Sequence, residues 1–125
     1  MSARTPEDTH ALVETALNTG DLDGLLEVYE ENAQLVVPPS GERVSGKAEL
    51  REALAPMLAL RPRVKLEVVD KLEADGLALT YGRWTLVGTD PDGTDIELAG
   101  SGTIVSRRQP DGTWLIVLDN PLATH

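Results

Sequence analysis

The chain has 125 residues, no cysteine and a formal net charge of −10, with 41% hydrophobic and 26% charged residues. These values fit one globular domain with its own core. They exclude disulfides and thiolate chemistry and argue against nucleic acid or anionic membrane surfaces as partners, because both need a basic face.

No apolar run approaches the roughly 18 residues of a membrane span. The opening Met1-Ser2-Ala3-Arg4-Thr5-Pro6-Glu7-Asp8 lacks an apolar signal core. The expectation is a single soluble, cytoplasmic domain over residues 1–125. Its only aromatic residues are Tyr29, Tyr81, Trp84 and Trp114, so Leu, Val, Ile and Ala must supply most of the core.

Thr5-Pro6-Glu7-Asp8 starts a first helix: Thr5 caps, Pro6 suits the first helical position, and the acids face the positive end of the dipole. Leu12, Val13, Ala16 and Leu17 form its apolar face, and Gly20 ends it. Asp21 opens a short second helix carrying Leu22, Leu25, Leu26 and Tyr29. Gln34–Val37 reads as a strand stopped by Pro38-Pro39-Ser40-Gly41. Ser45 caps a third helix with Leu50, Leu54, Met57 and Leu58 as its buried stripe, and Pro56 should kink or loosen its last turns.

From Arg61 the period becomes that of strands. Val64, Leu66 and Val68 alternate with Lys65, Glu67 and Val69, and Asp75-Gly76 marks a hairpin. Leu77–Gly88 and Ile96–Arg108 are long strands joined at Asp90-Pro91-Asp92-Gly93. Gly100 and Gly102 suggest a bend or bulge. Pro110-Asp111-Gly112 leads into a last strand, Trp114–Leu118. Helices before a meander of long strands indicate an α+β class, and such strands must twist and curl.

Gly20-Asp21-Leu22-Asp23-Gly24-Leu25-Leu26-Glu27-Val28-Tyr29, followed by Glu31-Asn32-Ala33, resembles the second-helix signature of nuclear transport factor 2-like proteins. Val44-Ser45-Gly46-Lys47-Ala48-Glu49-Leu50 resembles the start of their third helix. Asp111-Gly112-Thr113-Trp114-Leu115-Ile116-Val117-Leu118-Asp119-Asn120-Pro121 is similar to the last strand of the SnoaL-like branch. The resemblance implies a cone-shaped, curved antiparallel sheet, a half-barrel with three N-terminal helices enclosing a pocket. It also implies a homodimer that packs sheet on sheet. The group includes isomerases, cyclases, dehydratases, epoxide hydrolases and association domains, so the fold leaves function open.

Matching the motifs of ketosteroid isomerase puts its tyrosine, base and second acid at about Val13, Val37 and Ser101 or Gly102, which, apart from a weak donor at Ser101, cannot do that work. The SnoaL-type cyclases point instead to a late-strand aspartate, here Asp119. Turned inward, it is a desolvated acid–base; turned outward, Asp119-Asn120-Pro121 is an ordinary turn. His10 either looks into the pocket mouth as a helper or sits on an exposed helix face.

By the same resemblance Trp84 faces inward with Gly82 leaving room for a ligand beside it. Ser101 and Thr103, with Glu97 and Ala99, face the pocket, while Ile96, Leu98 and Ile104 face an outer dimer interface. The reversed parity is the alternative. Trp114 reads as packing. The expected lining is Val13, Leu17, Met57, Trp84, Ser101, Thr103 and Asp119, around a small apolar molecule, with no cofactor. A metal site is not expected from two histidines 115 positions apart, His10 and the terminal His125. Phosphate-loop, GxSxG and CxxC motifs are absent. A non-enzymatic association module with an incidental cavity is the competing reading.

Overall fold

In the computed structural model, residues 2–122 are described; His125 lies outside them. Helix α1 (Pro6–Thr19) begins as its sequence requires. The Asp8 N–H donates to Thr5 Oγ1 at 3.3 Å and the Thr5 N–H donates to Asp8 Oδ2 at 3.3 Å, a reciprocal cap. Gly20 closes the helix at φ 72°, where a side chain would be strained. Asp21 then caps α2 (Leu22–Leu26) by accepting the Gly24 N–H at 2.9 Å.

Helix α2 ends at Leu26, so Tyr29 is not on it; Tyr29 opens strand β1 (Tyr29–Val37). A short edge strand, β2 (Glu42–Ser45), pairs back on β1. It escapes a pattern reading because its four residues hold a single apolar side chain, Val44. Helix α3 (Gly46–Ala59) follows and runs through Pro56 to Ala59. Ser45 occupies its cap position, but its hydroxyl makes no cap bond; the Ser45 N–H donates to Glu49 Oε1 at 2.9 Å instead.

Strands β3 (Arg63–Ala74), β4 (Leu77–Thr89), β5 (Asp95–Arg108) and β6 (Trp114–Asn120) form the meander. Asp75 and Gly76, at φ 52° and 77°, make the expected tight hairpin. The sheet is curved and unclosed, in the order β2-β1-β6-β5-β4-β3. It is mixed rather than wholly antiparallel, because β1 and β6 run parallel. Of the bend or bulge expected at Gly100 and Gly102, a bulge between β4 and β5 is not found, since the two strands stay in register through both. The register shifts lie elsewhere: between Val68 and Asp70 of β3, and between Val105 and Ser106 of β5 against β6.

Helix α1 packs on β3 and α3 on β1, which puts both on the inner face of the curve. Leu25, Leu50 and Ile116 are fully buried between the layers. Each such side chain contributes about 1.5–3 kcal/mol of transfer free energy. Trp114 packs with Ala3 and Ala78 in a separate small cluster, as expected of a packing residue.

Candidate active site

The cross-strand register decides which side chains face the helices. Trp84 pairs with Gly100, Gly82 with Gly102, Thr80 with Ile104 and Leu86 with Leu98. Directly opposed residues share a face. Ile104 and Leu86 are core residues and Leu98 packs against them, so this set is the inner one. Trp84 is therefore inward as expected, but the parity expected for β5 is reversed. Ser101 lies opposite Arg83 and Thr103 opposite Tyr81, both on the outer face. Glu97 is exposed there opposite Val87. The side chains of Leu98 and Ile104, not Ser101 and Thr103, face the helices.

The parity that proved reversed came from the resemblance; at Gly82, Gly100 and Gly102 the inner face of β4 and β5 lacks side chains where other groups lie against it. A Cβ on Gly100 would come within 3.0 Å of the Trp84 ring. One on Gly102 would sit 2.6 Å from Pro121 Cα. One on Gly82 would lie 3.3 Å from His10 Cε1 and 3.0 Å from the Glu67 carbonyl oxygen. Gly82 thus makes room for the His10 imidazole, and it also borders the cavity.

A cavity of about 90 Å³ remains between α1, α3 and the inner face. Of the residues expected to line it, Val13, Leu17, Met57, Trp84 and Asp119 do, together with His10. Thr103 borders it between Gly102 and Ile104, although its register turns the side chain outward. Ser101 does not reach it. The Trp84 indole N–H donates to the Pro121 carbonyl at 2.7 Å, which holds the chain beyond β6 across Gly102 at the cavity's edge.

The polar core of the cavity is a pair that sequence reasoning missed in half. Tyr29 Oη donates to Asp119 Oδ2 at 2.7 Å. Tyr29 is 2% exposed and also lines the cavity. Parallel pairing of β1 with β6, with a register shift between Tyr29 and Gln34, brings together residues 90 positions apart. Burial pushes the Asp119 carboxyl from 3.8 to about 6, against the Tyr29 hydrogen bond, which favours the carboxylate. Burial, followed by the neighbouring Asp119 charge, holds the Tyr29 phenol well above its ordinary range. The only sequence signal for Tyr29 was its rarity as one of four aromatic residues.

His10 is 6% exposed, so it is not on an open helix face. Its Nε2 lies 2.6 Å from Thr80 Oγ1, and Thr80 Oγ1 in turn donates to the Ile104 carbonyl at 3.3 Å. That direction makes Nε2 the donor and leaves Nδ1 an acceptor, a tautomer assigned from the network. Burial lowers the imidazole from 6.5 to about 4, so it is neutral at pH 7. His10 and Asp119 border one cavity but bond to different partners. Among the described residues, no group of three or more His, Asp or Glu side chains is arranged to hold a metal ion. No described helix is long and apolar enough to cross a membrane.

Several solved structures share this fold. A ketosteroid isomerase-like protein from Erwinia carotovora atroseptica superposes with a TM-score of 0.78 at 18% identity, over 91% of this chain and 89% of that one. A protein from Streptomyces avermitilis, named as a candidate dehydratase of the nuclear transport factor 2-like family, gives 0.78 at 18% identity over 94% of each chain. A candidate calcium/calmodulin-dependent protein kinase type II association domain from Thiobacillus denitrificans gives 0.77 at 22%, over 98% and 99%. These likenesses establish the fold. Residues 9–115 match the SnoaL-like domain. With the α+β architecture and the mixed, curved sheet, that match makes this chain a member of the SnoaL-like domain family, within the nuclear transport factor 2-like superfamily.

Proposed function

We propose that this chain binds a small apolar molecule between α1, α3 and the curved sheet, and that Asp119, supported by Tyr29, acts on it as a cofactor-independent acid–base. The observation that carries this reading is a carboxyl raised to about 6 and hydrogen-bonded to a buried phenol in an otherwise apolar cavity. Such a group is largely a carboxylate at pH 7 yet returns a proton readily, as proton transfer near neutrality requires. Val13, Leu17, Met57 and Trp84 supply apolar walls, and Thr103 borders them. His10 is a neutral hydrogen-bonding wall rather than a proton shuttle.

The volume bounds the ligand. About 90 Å³ is less than the roughly 150 Å³ of an apolar cavity that accepts benzene. The ligand is therefore small, or enters with one end only. The test is a titration of the ¹⁵N-labelled protein with small apolar compounds, followed by incubation of any binder in D₂O. The expected result is shifts of the Trp84 indole resonance and Asp119-dependent hydrogen exchange or turnover that rises through about pH 6. Binding without any chemistry lost in Asp119→Asn would remove the catalytic part of the reading.

A second reading, association without catalysis, draws on the outer face. Leu72 is 62% and Leu118 45% exposed there, with Leu77 and Val87 also uncovered. Such a patch suits a homodimer packed sheet on sheet. Sedimentation of the purified chain tests the dimer, and only the Asp119-dependent chemistry above separates the two readings.

A further inference from the structure

A count of hydrogen-bonding groups around the cavity narrows the ligand, on the reading that the cavity is a ligand site. Three lining side chains carry an N–H or O–H on the inner face: His10, Tyr29 and Trp84. Each is engaged within the protein. Tyr29 Oη donates to Asp119 Oδ2, Trp84 Nε1 to the Pro121 carbonyl, and His10 Nε2 to Thr80 Oγ1. Arg83 and Thr103 border the cavity from strands whose register turns their side chains outward, opposite Glu67 and Tyr81 respectively. No lysine or arginine side chain among the described residues therefore faces in.

The acceptors are in the opposite condition. Asp119 has two carboxylate oxygens and Tyr29 occupies one of them. Among the described residues no donor reaches Oδ1, and the Asp119 carboxyl borders the cavity. His10 Nδ1, with the proton on Nε2, is a second acceptor beside Gly82.

We infer that the ligand itself carries the hydrogen-bond donor: a small alcohol or amine whose O–H or N–H meets Asp119 Oδ1 while its apolar body lies against Trp84, Val13 and Leu17. A ketone, ester or carboxylate brings only acceptors and leaves Oδ1 unpaired in a dehydrated site, with its own oxygen facing another acceptor. A carboxylate adds charge repulsion from Asp119 with no cation to offset it. An amine, bound as its ammonium ion, gains attraction to the same carboxylate.

The experiment uses a matched set of 2-propanol, 2-propylamine, acetone and isobutyrate, titrated into the full chain at pH 8 and followed at the Trp84 indole N–H. The alcohol and amine are expected to bind at least about tenfold more tightly than the ketone and the carboxylate. In Asp119→Asn, Tyr29 keeps its acceptor and an amide N–H₂ faces the cavity, so the ketone is expected to gain and the preference to close or reverse. Ketone binding as tight as alcohol binding in the unaltered chain overturns the inference but leaves the ligand site standing. Failure of all four to perturb Trp84 overturns the ligand site and the inference with it. An Asp119→Asn chain that keeps the original preference places the discriminating acceptor elsewhere and also overturns it.

Discussion

Asp119→Asn isolates the energetic cost of keeping a carboxylate in this cavity. Burial raises the carboxyl from 3.8 to about 6, so the folded state binds its proton more tightly than the unfolded chain does. Protons are then held preferentially by the native state between those two values, and stability falls as pH rises through that window. Below about pH 4 the group is neutral in both states and costs nothing. Above about pH 6 the penalty is complete. Each tenfold change in proton affinity is worth about 1.4 kcal/mol, so the full penalty is about 3 kcal/mol. Asparagine has the same shape and accepts the Tyr29 hydroxyl proton, but it never ionises.

Urea unfolding of both chains, at a series of pH values from 4 to 8, measures the difference. The variant is expected to match the parent near pH 4 and to exceed it by about 3 kcal/mol at pH 8. A stability gap independent of pH would refute the reasoning, because a desolvated charge is the only part of the side chain that titrates there. So would a variant less stable at pH 8, which would make Asp119 a structural tie between β1 and β6.

Three further outcomes follow from the packing and the electrostatics. Leu54→Ala should lower stability by about 2–5 kcal/mol in the same assay, since Leu54, on the buried side of α3, is 4% exposed; a change near zero would detach α3 from the core. Gly102→Ala should displace the segment at Pro121, because the new Cβ would lie 2.6 Å from Pro121 Cα. Loss of the Trp84 indole hydrogen bond, seen as an upfield shift of its N–H, is the readout, and an unchanged shift would refute the contact. His10 should stay neutral down to about pH 4 in a ¹⁵N imidazole titration, while an ordinary midpoint near 6.5 would mean that the ring is hydrated.

Residues that act on near neighbours were legible in the chain. Thr5 and Asp8 cap α1 across three residues, Gly20 ends it, and Asp75-Gly76 turns a hairpin, all in the expected places. Trp84 inward, with Val13, Leu17, Met57, His10 and Asp119 around one cavity, also came from sequence, through the resemblance rather than through periodicity. The β5 parity did not. Ile96, Leu98 and Ile104 form the more apolar row of β5 and do face the helices, whereas the resemblance, with small polar groups expected in the pocket, pointed to Glu97-Ala99-Ser101-Thr103. A glycine that makes room for an indole looks, in sequence, like one that bends a strand. Tyr29 was lost for a related reason: α2 stops at Leu26, and a helical count carried past that point assigns the ring to the wrong element.

The sequence by itself determined the helices with their caps, the turns, the long strands and the α+β order, because each rests on torsional preferences and on contacts within a few residues. Only the tertiary structure decided that β1 runs parallel beside β6, that Gly100 faces Trp84, and that Tyr29 meets Asp119 from 90 residues away. Those facts depend on cross-strand register and on where side chains are missing. Desolvation is likewise a property of the assembled layers, so the raised Asp119 carboxyl exists only once α1, α3 and the sheet have closed around it.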